Sequence, residues 1–198
     1  MNFEMVMALS SALDARDKYT AGHSRRVMEY AAGIARNMGV SEKDIKRLKM
    51  SALLHDIGKI GVPDIILHKE SRVSDKEFAV IKKHPEIGAN ILKAVRDFKD
   101  LVPVVYHHHE RFDGLGYPHG IYGEQIPLHS RIIAVADSFD AMTSTRPYRK
   151  ALNSEAALLE IEMSRGRQFD PTVSDIFLIR FSNILDDVLK NMEPEYVI

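Results

Sequence analysis

Apolar residues recur along most of the chain at the three- and four-residue spacing of a buried helical stripe. No segment alternates apolar and polar residues as a half-buried strand would. The pattern predicts a first helix from about Phe3 to Arg16, with Asp17–Gly22 punctuating it. A second helix carries His23 in its first turn and ends near Gly39, a glycine placed where a left-handed residue can terminate it. Ser41 is positioned as the N-cap of a third, which carries His55 and Asp56 at its far end. Ser74-Asp75-Lys76-Glu77 has the spacing of a capping box and opens a short helix; His84-Pro85-Glu86 begins another, with proline at a tolerated first-turn position. Leu101 to His109 is predicted helical, Arg111 to Pro127 a glycine- and proline-rich loop, and Leu128 to Met142 an apolar helix with Asp137 in its buried stripe. Ser154 and Asp170-Pro171 mark the starts of the last two helices. The expectation is an all-α bundle, one domain over 1–198, without internal repeats or low-complexity tracts.

The chain has 198 residues, enough to bury a substantial core without covalent staples. The 45% hydrophobic and 28% charged content is that of an ordinary soluble domain. Cysteine is absent, which excludes a disulfide framework and thiolate metal ligands and leaves His, Asp and Glu for any ligation. This fits a reducing cytoplasm, the expected location. A net charge of −1 argues against a binder of polymeric nucleic acid, and the basic run Lys43–Lys49 reads as a solvated helix face. No apolar run is long enough to span a membrane, and Met1–Met5 does not begin a secretory signal.

Against this bland background Leu53-Leu54-His55-Asp56-Ile57-Gly58-Lys59 stands out. An imidazole and a carboxylate walled by aliphatic residues cost several kcal/mol, by rough estimate, unless something compensates them. A divalent metal compensates both. His23, His84, His107, His108, His109 and Asp137 repeat the theme of a polar ligand in an apolar, helical setting. A carboxylate such as Asp56 can reach two ions about 3.5–4 Å apart, the arrangement of two-metal phosphoryl-transfer sites. Nitrogen and oxygen donors without sulfur suit iron, manganese or another first-row divalent ion. Lys59, four residues after His55, is expected on the same helical face, as a contact for an anionic substrate. His68, His119 and His129 read as surface residues, and His107 as a spare neighbour or a group that orients a ligand.

His55-Asp56-Ile57-Gly58-Lys59, followed by His108-His109-Glu110-Arg111-Phe112-Asp113-Gly114-Leu115-Gly116-Tyr117-Pro118, resembles the two motifs of the HD-GYP family, with similar order and spacing from about Phe3 to Leu178. The resemblance implies an HD-domain-type helical bundle and a metal-dependent phosphodiesterase acting on cyclic dinucleotides, chiefly cyclic di-GMP. It implies two divalent ions held by His23, His55, Asp56, His84, His108, His109 and Asp137. Gly116 and Tyr117 of the GYP loop, with Lys59, Arg146 and Arg149, become the expected substrate contacts; Asp140 could accept a hydrogen bond from guanine. Asp56 and Lys59 are the expected catalytic residues, with metal-activated water attacking in line and no protein nucleophile. Some family members carry a glutamate one turn before the first metal histidine to support a third ion. Here that position is Tyr19, so two ions are expected.

The alternatives are a cyclic GMP-AMP phosphodiesterase, a nucleotide phosphohydrolase of the broader HD group, and a silent dinucleotide sensor docking on a GGDEF-type partner. The last should have lost ligands, and all seven are present. The chain reads as a stand-alone protein or as the output domain of a longer bacterial signalling protein.

Overall fold

The computed structural model describes residues 3–16, 22–145 and 150–192. Its centre is α2 (His23–Asn37), buried along nearly its whole length because α3 (Glu42–Leu54), α8 (Leu128–Thr143) and α10 (Pro171–Asn191) pack around it. Helix α1 (Phe3–Arg16) lies against α3, and α9 (Ser154–Met163) rests on α8 and α10. Between α3 and α8 the chain breaks into short pieces. These include a 3-10 turn at Ile57–Gly61, α4 (Asp64–Leu67), α5 (Asp75–Ile81), α6 (His84–Lys93) and α7 (Val102–Tyr106). The described residues contain no strand, and the all-α bundle stands. No helix among them is long and apolar enough to cross a membrane.

Local chemistry sets most boundaries. Ser41 Oγ accepts from the amide of Asp44, and Ser74 and Glu77 form the full capping box the spacing predicts. Asp170 accepts from the amides of Thr172 and Val173 to start α10, while Gly39, at φ 74°, turns the chain out of α2. The core is closed by edge-on aromatic contacts, Tyr30 to Phe139 at 5.2 Å and Phe139 to Phe177 at 5.2 Å.

Two expectations need correction. The helix predicted over Leu101–His109 is the five-residue α7, and the chain turns at His107 instead of carrying the histidines on a helix. Helix α3 stops at Leu54 and gives way to the 3-10 turn, so His55 and Lys59 do not share an α-helical face. The segment 17–21, predicted to interrupt the first two helices, lies outside the described residues.

Candidate metal centre

Three of the helices end in the same way. A helix leaves its last carbonyls without intrahelical partners, and a histidine side chain can supply one. His55 follows α3 and puts Nδ1 2.6 Å from the Ala52 carbonyl; His84 follows α5, 2.8 Å from that of Ile81; His108 follows α7, 2.6 Å from that of Val105. A nitrogen facing a carbonyl must donate, so each neutral ring carries its lone pair on Nε2. Three helix ends thus aim three acceptors inward with fixed tautomers.

Among the described residues these acceptors meet no donor that would satisfy them. His84 Nε2 and His108 Nε2 lie 3.2 Å apart, lone pair toward lone pair, and His55 Nε2 is buried with no hydrogen-bond partner. Such an arrangement is costly for a protein alone and is satisfied by a cation. Asp56 lies between two groups. Its Oδ1 is 3.2 Å from His84 Nε2, while its Oδ2 is 3.4 Å from His55 Nε2 and 4.0 Å from His23 Nε2. Ligand atoms of Asp56, His84, His108 and His109 fall within 4.8 Å of one another, as do those of His23, His55 and Asp56. Asp137 Oδ1 joins the second group, 3.3 Å from His23 Nε2 and 4.0 Å from His55 Nε2. The seven residues singled out in the sequence are therefore brought together, and they fit divalent cations.

The electrostatics favour ligating protonation states. Burial holds the His55 and His108 imidazoles below their ordinary range and pushes His109 down to about 3, with neighbouring histidines adding to the effect. Burial would raise the Asp56 and Asp137 carboxyls. Lys59 and His55 outweigh it at Asp56, and His23 at Asp137, so both lie well below the usual carboxylate range. His23 differs: burial opposes its charge, but Asp137 and Asp140 push it up to about 10. A cation binding at its Nε2 must displace that proton.

The supporting roles of several groups are visible only in the structure. Asp140, named above as a group that could accept from guanine, is fully buried, with Oδ2 2.7 Å from His23 Nδ1 and Oδ1 accepting from Arg26 Nε at 2.5 Å. It orients His23 instead. Asp14 of α1 lines the same small cavity as His23, Asp56 and Lys59; burial pushes its carboxyl up to about 6, partly opposed by the Ser24 hydroxyl at 3.1 Å. Lys59 Nζ pairs with Asp56 Oδ2 at 2.6 Å, and its turn is held by Arg16, which donates to the carbonyls of Lys59 and Val62. The only sequence signal for Asp140 was its helical spacing from Asp137; Asp14 and Arg16 had none.

Two glycines permit the close approaches that build the site. A Cβ on Gly58 would lie 1.9 Å from the His84 carbonyl oxygen, so only glycine lets the 3-10 turn press against α6. A Cβ on Gly116 would lie 2.3 Å from the Arg111 amide nitrogen, where the loop after His109 folds back on its own start. That loop is pinned by buried Glu110, which accepts from the amides of His119 and Gly120. Backbone bonds from Phe112 and Asp113 to the segment between α9 and α10 hold its outer side. Tyr117 consequently lies over His109, ring centroids 4.8 Å apart, with Phe78 and Lys82 from the α5 region on its other flank. Arg146, Arg149 and Tyr19 lie outside the described residues.

A helical bundle whose helix ends converge on a His/Asp cluster defines a metal-binding fold. The HD domain family model matches residues 7–173, and the chain belongs to that family. It is 41% identical over 177 residues to the cyclic di-GMP phosphodiesterase response regulator RpfG of Xanthomonas campestris pv. campestris, covering 88% of this chain and 47% of that protein. It is 41% identical over 167 residues to the 3'3'-cGAMP-specific phosphodiesterase 3 of Vibrio cholerae, covering 84% of this chain and 36% of that one. The chain thus spans less than half the length of these two curated relatives. A solved structure of a cyclic GMP-AMP-specific phosphodiesterase from V. cholerae shares the fold, with a TM-score of 0.70 at 21% identity, over 98% of this chain and 55% of that one.

Proposed function

We propose that this chain is a single HD-GYP domain that hydrolyses a cyclic dinucleotide, cyclic di-GMP foremost, at a centre of two divalent ions. The observation that carries the proposal is Asp56, whose two oxygens face two separate nitrogen clusters as a bridging carboxylate would. His23, His55 and Asp137 are assigned to one ion, and His84, His108 and His109 to the other. Iron or manganese suits this nitrogen and oxygen set. Bound there, the ions would polarise the phosphate oxygens and lower the pKa of water.

The chain's own groups do the rest. Lys59, one-fifth exposed at the edge of the cluster, is assigned to the phosphate, exchanging part of its pairing with Asp56 for charge that develops on the phosphoryl oxygens. Tyr117, braced by His109, is assigned to the substrate, and the tight fold at Gly116 keeps it in position. Arg146 and Arg149 are assigned to the nucleotide because guanidinium forks match phosphate oxygens. The cysteine-free ligand set fits work in a reducing cytoplasm. Docking on a GGDEF-type protein would add to this activity and is measured separately, by co-purification.

A second substrate is favoured by a specific finding: the relative named for cyclic GMP-AMP is as similar, at 41% identity, as the one named for cyclic di-GMP. Parallel turnover of the two dinucleotides by metal-loaded protein, followed by chromatography, tests the assignment. The proposal expects kcat/KM at least tenfold higher for cyclic di-GMP. The reverse ratio gives the substrate to cyclic GMP-AMP, and turnover of neither refutes the phosphodiesterase reading.

A further inference from the structure

A second group of metal-ligating side chains lies next to the centre and takes no part in it. His107, Glu110 and His119 each bring one ligand atom to within 4.8 Å of the others. His107 neighbours Tyr106 and His119, with ring centroids 5.0 and 5.6 Å away. We propose that these three residues form a further site for a first-row divalent ion of the zinc class, tying the end of α7 to the GYP loop.

Each member is prepared for that role differently. His107 Nδ1 donates to the Pro103 carbonyl at 2.8 Å, which leaves the lone pair on Nε2, the same device that orients His55, His84 and His108. Glu110 is 4% exposed, and its carboxylate is held by backbone amides, those of His119 at 2.8 Å and Gly120 at 3.0 Å. No lysine or arginine pairs with it among the described residues, so its buried negative charge has hydrogen bonds but no counter-ion. Its oxygens keep lone pairs beyond those the amides use.

His119 is exposed, and its Nε2 lies 3.5 Å from the Tyr106 hydroxyl, at the outer limit of a hydrogen bond. Tetrahedral ligation with bonds of about 2.0–2.1 Å sets donors roughly 3.3 Å apart, so the triad must close by up to about 1.5 Å. The exposed His119 ring can make that movement while Glu110 and His107 stay anchored. Two imidazoles and one carboxylate select zinc, nickel, cobalt or copper over calcium or magnesium. Three protein ligands leave a position for water or an external ligand.

Zinc content after equilibrium dialysis of the whole chain against micromolar Zn(II) tests the site. His119→Ala and His107→Ala should each hold one zinc fewer than the parent. The same loss should appear when each is combined with Asp56→Ala, which removes the bridging ligand of the main centre. Circular dichroism at the parent value shows that the variants are folded, and exposed His119 can be truncated without opening the core. Retention of the full zinc count by either variant overturns the proposal and leaves the triad as a clamp for the loop alone. The readout is a difference in bound zinc, so it stands apart from whether the main centre hydrolyses any dinucleotide.

Discussion

At the scale of single residues, four of the five candidate ligand imidazoles are oriented from the far nitrogen. His55, His84 and His108 spend Nδ1 on backbone carbonyls, and His23 spends it on Asp140. Asp140→Asn would keep the size but remove the charge that, with Arg26, fixes His23. The expected result is a loss of about 10–100-fold in divalent-metal affinity, the usual cost of losing a group that orients a ligand, with helical content unchanged. Titration with Mn(II) followed by electron paramagnetic resonance measures it, and parent-like affinity would contradict the role. The candidate ligands could be singled out in the sequence because ligation demands particular residue types, and seven of them recur in apolar context. Their supports were not. His23 and Asp140 are 117 positions apart, and only the crossing of α2 and α8 brings them together. Glu110 was visible as part of a motif, but its bonds to the amides of His119 and Gly120 depend on the loop's return path.

At the scale of elements, short helices and tight turns do the positioning. Long amphipathic helices were legible from periodicity, and caps such as Ser41, Ser74 and Asp170 marked their starts. The ends at the histidines were not legible, because a side chain competes with the backbone there. The Val105 carbonyl faces His108 Nδ1, where a continuing helix would have used the amide of residue 109. The same competition at Ala52 changes the register after α3 and moves Lys59 from the side of His55 to that of Asp56. Gly58→Ala tests how closely the 3-10 turn must press on α6. The added methyl forces the two apart, and a loss of about 1–3 kcal/mol in urea denaturation is expected together with weaker metal binding. Unchanged stability and affinity would mean that the turn can shift without consequence.

Helix α5, which flanks Tyr117, also has a pH dependence of known sign. Glu77 is held down to about 2, first by its hydrogen bond from Lys69 and then by Ser74, below an ordinary value of 4.5. Its contribution is present above pH 4.5 and is lost as pH falls toward 2. Amide exchange in α5 should therefore accelerate, relative to Glu77→Gln, as pH is lowered through this window. Equal acceleration in both proteins would remove Glu77 as the cause.

At the scale of the whole molecule, the fold is a means of bringing distant helix ends to one point. The α2, α3 and α8 layer supplies His23, His55 and Asp137, and the segmented layer between α3 and α8 supplies His84, His108 and His109. Asp56 lies where the two meet. The all-α class was legible because the apolar stripes have helical period and no segment has strand period. The junction was legible only as a motif, since nothing local to His55-Asp56 says that His84 will face it from another helix. The most direct test strips the protein of metal and reconstitutes it anaerobically with Fe(II) or Mn(II). Hydrolysis of cyclic di-GMP is then followed for the parent and for Asp56→Ala. Turnover that returns with metal in the parent and is absent from the folded variant is the predicted result; turnover that survives either metal removal or loss of the Asp56 carboxylate would contradict a centre bridged by that residue.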